Sequence, residues 1–390
     1  MSANRRSVLK ILGVGTLTVA AGAAGFALTR EPSEALRPWS EAGLGDDPRL
    51  NVLSFALLAP NPHNLQPWQV RLDGNDGFTL FADPHRKLPE TDPYDRQITI
   101  GLGCFLELAR QAAAEAGYRL DITPFPDGEP SPVLDGRPVA SARLVASEST
   151  RADPLFGSVL TRRSCKEPYD IDRAVPAARL EQVRSAIASD AGLSTEAGIT
   201  MHFAADEARV RTLRDLTMNA YEVEVYTRRT YMESIDLMRF GKAEINRNPD
   251  GIDIGGPMLD ALNAFGILTR ETLADEGSDA FKQGMDMYRE MLLATPAYVW
   301  LATSGNTRRD QLGAGAAWIR MNLAATAEGL ALHPVSQALQ EYAEMNRLFA
   351  KVHKLLAKDG ATRIQMLGRI GYGPAVAPSP RWPVRSRLLS

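Results

Sequence analysis

Two alanine-rich segments, each bracketed by glycines, lie at one offset in this sequence. Gly101 and Gly313 stand 212 positions apart, as do Gly117 and Gly329, and Ala112-Ala113 of the first segment matches Ala324-Ala325 of the second. Each segment reads as a helix stopped by its closing glycine, and a turn into a strand follows each. A chain of 390 residues can form two domains or one two-lobed unit. The offset favours a duplicated unit in which two halves mimic a homodimer. Alanine-rich helices resemble one another on composition alone, so the repeat needs support from the rest of the chain.

The other elements alternate in type. Asp47 is an N-cap with Pro48 at the first helical position, and leucines at helical spacing predict a helix over 48–58 that ends before Pro60. A loop over 59–67 leads to strands at 69–72 and 78–82, joined by the turn Asp73-Gly74-Asn75-Asp76-Gly77. A Pro/Gly-rich connection over 124–138 precedes a strand at 139–146. The second series has a basic loop at 161–169, helices at 177–188 and 207–231, strands at 199–204 and 297–303, a helix at 312–328, another at 341–357 and a last strand at 362–371. Residues 232–290 read as a polar, irregular insertion and 31–46 as a linker. The class is α+β, with halves at 31–150 and 151–390.

Hydrophobic content of 44% and charged content of 23% describe a soluble globular protein. A net charge of −3 gives no footprint for nucleic acid. Cys104 and Cys165 form either one disulfide or, as we expect, two buried thiols. The histidines at 63, 85, 202, 333 and 353 lack ligand spacing, so no metal is expected. No Gly-x-Ser-x-Gly elbow points to a hydrolase. Gly101-Leu102-Gly103 and Gly313-Ala314-Gly315 lack the third glycine and leading strand of a dinucleotide fingerprint. Asn4-Arg5-Arg6-Ser7 followed by the apolar run Ile11–Leu28 forms a twin-arginine export signal over residues 1–30. It implies passage through the twin-arginine export machinery to a periplasmic or cell-envelope location. Left uncleaved, the same run would be a membrane tether.

The most informative stretch is Ala59-Pro60-Asn61-Pro62-His63-Asn64-Leu65-Gln66-Pro67-Trp68. Prolines stiffen it, and the Asn64 and Gln66 amides offer both donor and acceptor to a ring edge that carries imide and carbonyl groups. By itself the stretch also fits a structural turn. A second stretch is Arg162-Arg163-Ser164-Cys165-Lys166-Glu167-Pro168-Tyr169, a third Gly329-Leu330-Ala331-Leu332-His333-Pro334-Val335-Ser336-Gln337, and a fourth the tail Arg381-Trp382-Pro383-Val384-Arg385-Ser386-Arg387-Leu388.

In combination these stretches resemble the loops of the FMN-dependent nitroreductase superfamily. The resemblance implies a nitroreductase-like fold with one FMN held by Pro60, Asn61, His63, Asn64 and Gln66 from the first loop. From the second, Arg162 and Ser164 would meet phosphate and ribityl, with Lys166 near the pyrimidine edge, where it would tune the flavin. The turn at Pro334 would meet the flavin, with the backbone of Ser336 and Gln337 approaching its N5, and Arg385 and Arg387 would wrap the phosphate. The first loop precedes Arg162 by about a hundred positions, the reverse of the common order. That order resembles the Acg family of fused, nitroreductase-like FMN-binding proteins. The implied activity is two-electron reduction of small electrophilic acceptors from an unidentified donor. The alternative is an FMN-sequestering protein without turnover, its flavin covered by the insertion as a lid.

Overall fold

The computed structural model describes residues 31–187, 198–357 and 359–389, and the expected export signal lies outside the described residues. In the first half, β1 (Trp68–Asp73), β2 (Gly77–Ala82), β3 (Tyr118–Pro124) and β4 (Ala140–Ala146) form an antiparallel sheet in the order β1-β2-β4-β3. The second half opens with β5 (Ile199–Ala204). A parallel two-stranded ribbon follows, β6 (Met238–Phe240) with β7 (Ile252–Ile254), and then β8 (Ala297–Thr303), β9 (Ala331–Pro334) and β10 (Arg363–Gly371). The second sheet runs β5-β8-β10-β9. Within each sheet the strands, in chain order, lie first, second, fourth, third. In each, a 20-residue helix joins the second strand to the third: Arg96–Glu115 in one half and Arg308–Ala327 in the other.

These two helices cross at glycine. A Cβ on Gly103 would lie 2.1 Å from the Leu312 carbonyl oxygen, and a Cβ on Gly315 would lie 2.0 Å from that of Ile100. Both pairs of contacting residues are related by the 212-residue offset, so the contact is reciprocal. The first arginine of each helix reaches across in the same manner. Arg96 donates to the carbonyls of Leu339 (2.6 Å) and Gln365 (2.7 Å), and Arg308 to those of Pro130 (3.2 Å) and Pro132 (2.6 Å). One apolar core, including Leu102, Phe105, Leu312 and Trp318, runs through both halves.

The two sheets differ in cover. Every residue of β8 is buried, because the second sheet has the Arg308–Ala327 helix on one side and helices Glu207–Tyr226 and Asn346–Leu356 on the other. That sandwiching explains an uninterrupted apolar run where a one-sided strand would alternate. The C-terminal tail returns to the first half, where Leu389 N–H donates to the Val70 carbonyl (2.8 Å) beside a parallel bridge between Val70 and Leu388.

Several expectations need correction. Residues 33–40 form a helix rather than linker, burying Ala35 and Trp39. The long helix expected over 207–231 ends at Tyr226; Thr227 (φ −87°, ψ 99°) breaks it from a second helix, Arg228–Asp236. Most of 232–290 is helical, in Gly241–Arg247, Pro257–Ala264, Arg270–Ala274 and Asp279–Leu293. Short polar helices of this kind are fixed by their caps: Thr269 and Thr272 form a capping box and Ser278 caps the last. Cys104 and Cys165 are both buried and unpaired. Among the described residues no helix is long and apolar enough to cross a membrane.

Because the carbonyls facing Gly103 and Gly315 belong to helix backbone, an added methyl must push the helices apart, a strain worth about 1–3 kcal/mol. Gly103→Ala and Gly315→Ala should each lower the unfolding free energy by about that amount in chemical denaturation. Gly136→Ala, where a Cβ meets nothing within 4 Å, should change it by less than about 0.5 kcal/mol.

Candidate functional site

A cavity of about 440 Å³ lies between the halves, within the range of small-ligand sites. The 59–67 loop forms one wall. Its prolines hold the intervening residues out of ordinary helical geometry, and His63 (φ 47°), Asn64 (φ 53°) and Gln66 (φ 54°) all take left-handed backbone conformations. For non-glycine residues such conformations cost energy and persist only where surroundings impose them. The imposition is visible: Asn61 Oδ1 accepts from Gln66 N–H (2.7 Å), and Gly251 N–H from the insertion donates to the Asn64 carbonyl (3.2 Å).

The second wall is the 162–166 segment. Ser164 bridges Leu332 of β9 in parallel, and Cys165 N–H donates to the Leu332 carbonyl, so this stretch extends the second sheet beside His333 and Pro334. The fully buried Arg369 anchors it, donating to the carbonyls of Cys165 (2.9 Å) and Glu167 (2.7 Å) and to His333 Nδ1 (3.2 Å). An arginine can only donate, so His333 Nδ1 is the acceptor and its proton sits on Nε2.

Three arginines gather at one part of the wall. Helix Pro48–Ala56 ends there, and the three residues that follow it, Leu57, Leu58 and Ala59, present carbonyls. Arg381 donates to those of Leu57 (2.9 Å), Leu58 (3.2 Å) and Ala59 (3.1 Å) and to Asn64 Oδ1 (2.5 Å). Arg162 donates to the Leu58 carbonyl (3.2 Å) through Nη2, while its Nη1 and the Nε of Arg163 are buried with no hydrogen-bond partner. Burial, then the neighbouring Arg163, brings Arg162 down to about 10. Burial, then Arg162, brings Arg381 down to about 9. Neither makes an ion pair with a carboxylate among the described residues, although Asp253 of β7 acts on Arg381. Trp39 lies under Arg163 (4.7 Å) and Arg381 (5.5 Å). Buried guanidinium donors left unfilled beside a cavity have the chemistry to hold an anion.

Of the residues expected from sequence, Pro60, Asn61, His63, Asn64, Arg162, Ser164, Lys166, Pro334 and Gln337 line this cavity. Four expected positions do not. Gln66 is fully buried, its Nε2 donating to the Pro249 carbonyl (2.7 Å) and its Oε1 accepting from Trp382 N–H (2.9 Å). Ser336 Oγ donates to the Leu367 carbonyl (3.0 Å). Arg387 is committed to Asp83 (2.6 Å) and the Trp68 carbonyl (3.1 Å), and Arg385 is exposed. The tail arginine at the cavity is Arg381. The Asn64 amide is also spent within the protein, since its Nδ2 donates to the Pro380 carbonyl (3.0 Å). The amides therefore set the loop's shape. Trp39, Tyr221, Glu224 and Tyr288 also line the cavity without having been singled out. Only Trp39 left a trace, a tryptophan four residues after Ala35 in an otherwise polar stretch.

His63 and His333 stay neutral. Burial, then the Lys166 ammonium, lowers His63 to about 4; burial, then Arg369 and Lys166, lowers His333 well below the usual histidine range. Among the described residues no group of acids, histidines and cysteines could hold a metal ion.

The molecule is α+β, with two like-ordered sheets and a cationic cavity between them, and the comparisons with known proteins set it beside proteins named as nitroreductases. No family model matches. The chain is 27% identical over 351 residues to a Mycobacterium tuberculosis H37Rv protein named "Putative NAD(P)H nitroreductase", covering 85% of this chain and 88% of the relative. An uncharacterised protein of the same strain is 32% identical over 124 residues, 31% of this chain and 35% of that one, so the match spans about a third of that relative. Among solved structures, a nitroreductase-like family protein from Bacillus cereus aligns over 62% of this chain and 98% of its own, with 17% identity and a TM-score of 0.34. A nitroreductase with bound FMN from Desulfitobacterium hafniense covers 61% of this chain and 98% of its own at 11% identity and a TM-score of 0.36.

In an NMR titration His63 should remain neutral down to about pH 5 and protonate near 4. Lys166→Ala should move that midpoint upward, because a like charge that opposes protonation has been removed. A midpoint that stays put places Lys166 away from the ring.

Proposed function

We propose that this chain binds one FMN between its halves and acts as an oxidoreductase on small electrophilic acceptors, nitro-aromatic or quinone-like. The observation that carries the reading is the pair Arg162 and Arg163, whose Nη1 and Nε are buried without partners, next to the buried Arg381 at a cavity of about 440 Å³, with no carboxylate ion-paired to any of the three among the described residues. Their charge and forked donors fit a phosphate monoester. Similarity to the mycobacterial relative over most of both chains supports the same class. Bound FMN would supply two-electron transfer. The chain's own part is to neutralise the phosphate with Arg162, Arg163 and Arg381, and to place positive charge at the cavity mouth through Lys166. His63 and His333 add neutral imidazoles to the wall.

The reciprocal contacts of Gly103 with Leu312 and Gly315 with Ile100 support the reading of a fused pseudo-dimer, in which each half supplies one wall of a single site. The order of the Asn64 loop before the Arg162 segment supports the Acg-type assignment. A second reading, FMN sequestration without turnover, is favoured by how firmly the insertion is fastened over the site. Asp250 pairs with Arg86 (2.6 Å) and Arg239 (3.0 Å) and accepts from Trp382 Nε1 (2.8 Å). The Arg5-Arg6 signal supports export by the twin-arginine route.

Purified protein should carry visible flavin absorbance. Arg162→Met should weaken FMN binding at least about 100-fold, the scale expected when a buried charge partner is removed. Arg387→Met should leave affinity unchanged provided a melting curve shows it folded; equal loss in both would overturn the phosphate assignment. Turnover of nitro or quinone acceptors with reduced nicotinamide, or with a chemical two-electron donor, supports the oxidoreductase. Bound, reducible flavin with no turnover supports sequestration. Arg5→Lys with Arg6→Lys should strand the protein in the cytoplasm, read by fractionation; unchanged export excludes the twin-arginine route.

A further inference from the structure

The cavity has a second chemical character, supplied by the helices around the insertion. Tyr221 and Glu224 come from the Glu207–Tyr226 helix, Tyr231 and Ser234 from Arg228–Asp236, and Tyr288 from Asp279–Leu293. The rings of Tyr221 and Tyr288 stack, with centroids 3.5 Å apart and planes 11° from parallel, and Gln337 Nε2 donates to the Tyr288 hydroxyl (2.8 Å). Glu224 is 7% exposed, and its Oε2 accepts from Gln340 Nε2 (2.7 Å). It has no ion pair among the described residues, and neither the proposed phosphate-binding arginines nor Lys166 is among the charges acting on it.

The titratable groups acting on Glu224 are Tyr221 on its own helix, Glu233 on the next, Tyr288 and Tyr342, and Tyr231 acts in turn on Tyr221. Burial holds all four tyrosines above their ordinary values, hence neutral. Glu233 is raised by burial and is tied to Thr91 and to the Glu90 and Thr91 amides. The nearby cations are engaged elsewhere. Arg229 pairs with Glu90 and Glu344, and Arg369 donates to His333, Met291, Cys165 and Glu167.

We infer that Glu224 and the Tyr221–Tyr288 pair form the acceptor subsite, and that it admits uncharged or cationic planar aromatic acceptors while rejecting anionic ones. This rests on the proposed oxidoreductase reading and names its substrate class. The stacked rings supply a flat apolar surface. The ionised carboxylate repels a second negative charge with little solvent to screen it, so rejection is built from a repulsive element as well as attraction. The protonated carboxyl instead offers an O–H to a carbonyl or nitro oxygen. Burial pushes Glu224 up to about 7, so the two forms exchange across neutral pH, and rejection of anions is weak below that value and full above it.

The test uses the full protein as purified and two probes of one ring system, naphthoquinone and naphthoquinone sulfonate, whose sulfonate stays ionised throughout. Dissociation constants are measured by equilibrium dialysis at about pH 5.5 and about pH 8.5, either side of the carboxyl's midpoint. The wild type should bind the sulfonate at least about 10-fold more weakly, relative to the neutral quinone, at the higher pH than at the lower, a factor worth about 1.4 kcal/mol. Glu224→Gln should bind both probes with a ratio independent of pH. A constant ratio in the wild type overturns the inference by itself, so a variant that fails to fold leaves the test intact. A shifting ratio that survives in folded Glu224→Gln overturns it as well. Protein that takes up no FMN refutes the reading above, whereas the probe ratio still decides this one, because the subsite is made of side chains alone.

Discussion

The crossing of the Arg96–Glu115 and Arg308–Ala327 helices sets the distance between the halves, and with it the shape of the cavity. Glycine at 103 and 315 lets backbone meet backbone, closer than any side chain would allow. The site's walls depend on that approach. Gly101, between the crossing residues Ile100 and Gly103, lies against Asn61, where a Cβ would meet the Asn61 Cβ at 3.1 Å. The left-handed residues of the 59–67 loop are thereby held against a rigid helix, and the cost of their conformations is offset by contacts that a looser pairing would not make.

Electrostatics divides the cavity. At the arginine-rich part, three guanidiniums gather over the carbonyl end of the Pro48–Ala56 helix, the end where a helix favours positive charge. The carbonyls satisfy some of the donors and leave others free, a half-filled network that is costly in the absence of an anion and strongly attractive to one. At the part made by the helices around the insertion, the Glu224 carboxyl sits among tyrosines. A molecule that is anionic at one end and flat and uncharged at the other would satisfy both.

Much of the architecture was legible in the chain. Asp47 caps its helix as its side chain and the following proline suggested, the Asp73–Gly77 turn joins two strands, and Gly117 and Gly329 follow the ends of their helices. The loops that stood out for their prolines, amides and arginines do border one cavity. What failed was the step from residue type to partner. Asn64 and Gln66 have the right groups to read a ring edge, but the C-terminal tail and the insertion reach them first. Arg387 and Arg381 are alike in sequence, and only the fold shows that Asp83 occupies one while the other reaches the cavity. Tyr221, Glu224 and Tyr288 gave no signal, since single residues on amphipathic helices look the same whether they face core or cavity.

The two sheets share one strand order, yet their first connections differ greatly: residues 74–76 join β1 to β2, whereas residues 205–296 separate β5 from β8. In an assembly of identical subunits every elaboration appears twice, and one that suits one crevice must be tolerated in its mate. A single continuous polypeptide escapes that bookkeeping. Here the long excursion occurs once, on the side where it covers the cavity, and the opposite lobe keeps its bare hairpin. Asymmetry of this kind can be inherited only when both lobes are encoded together.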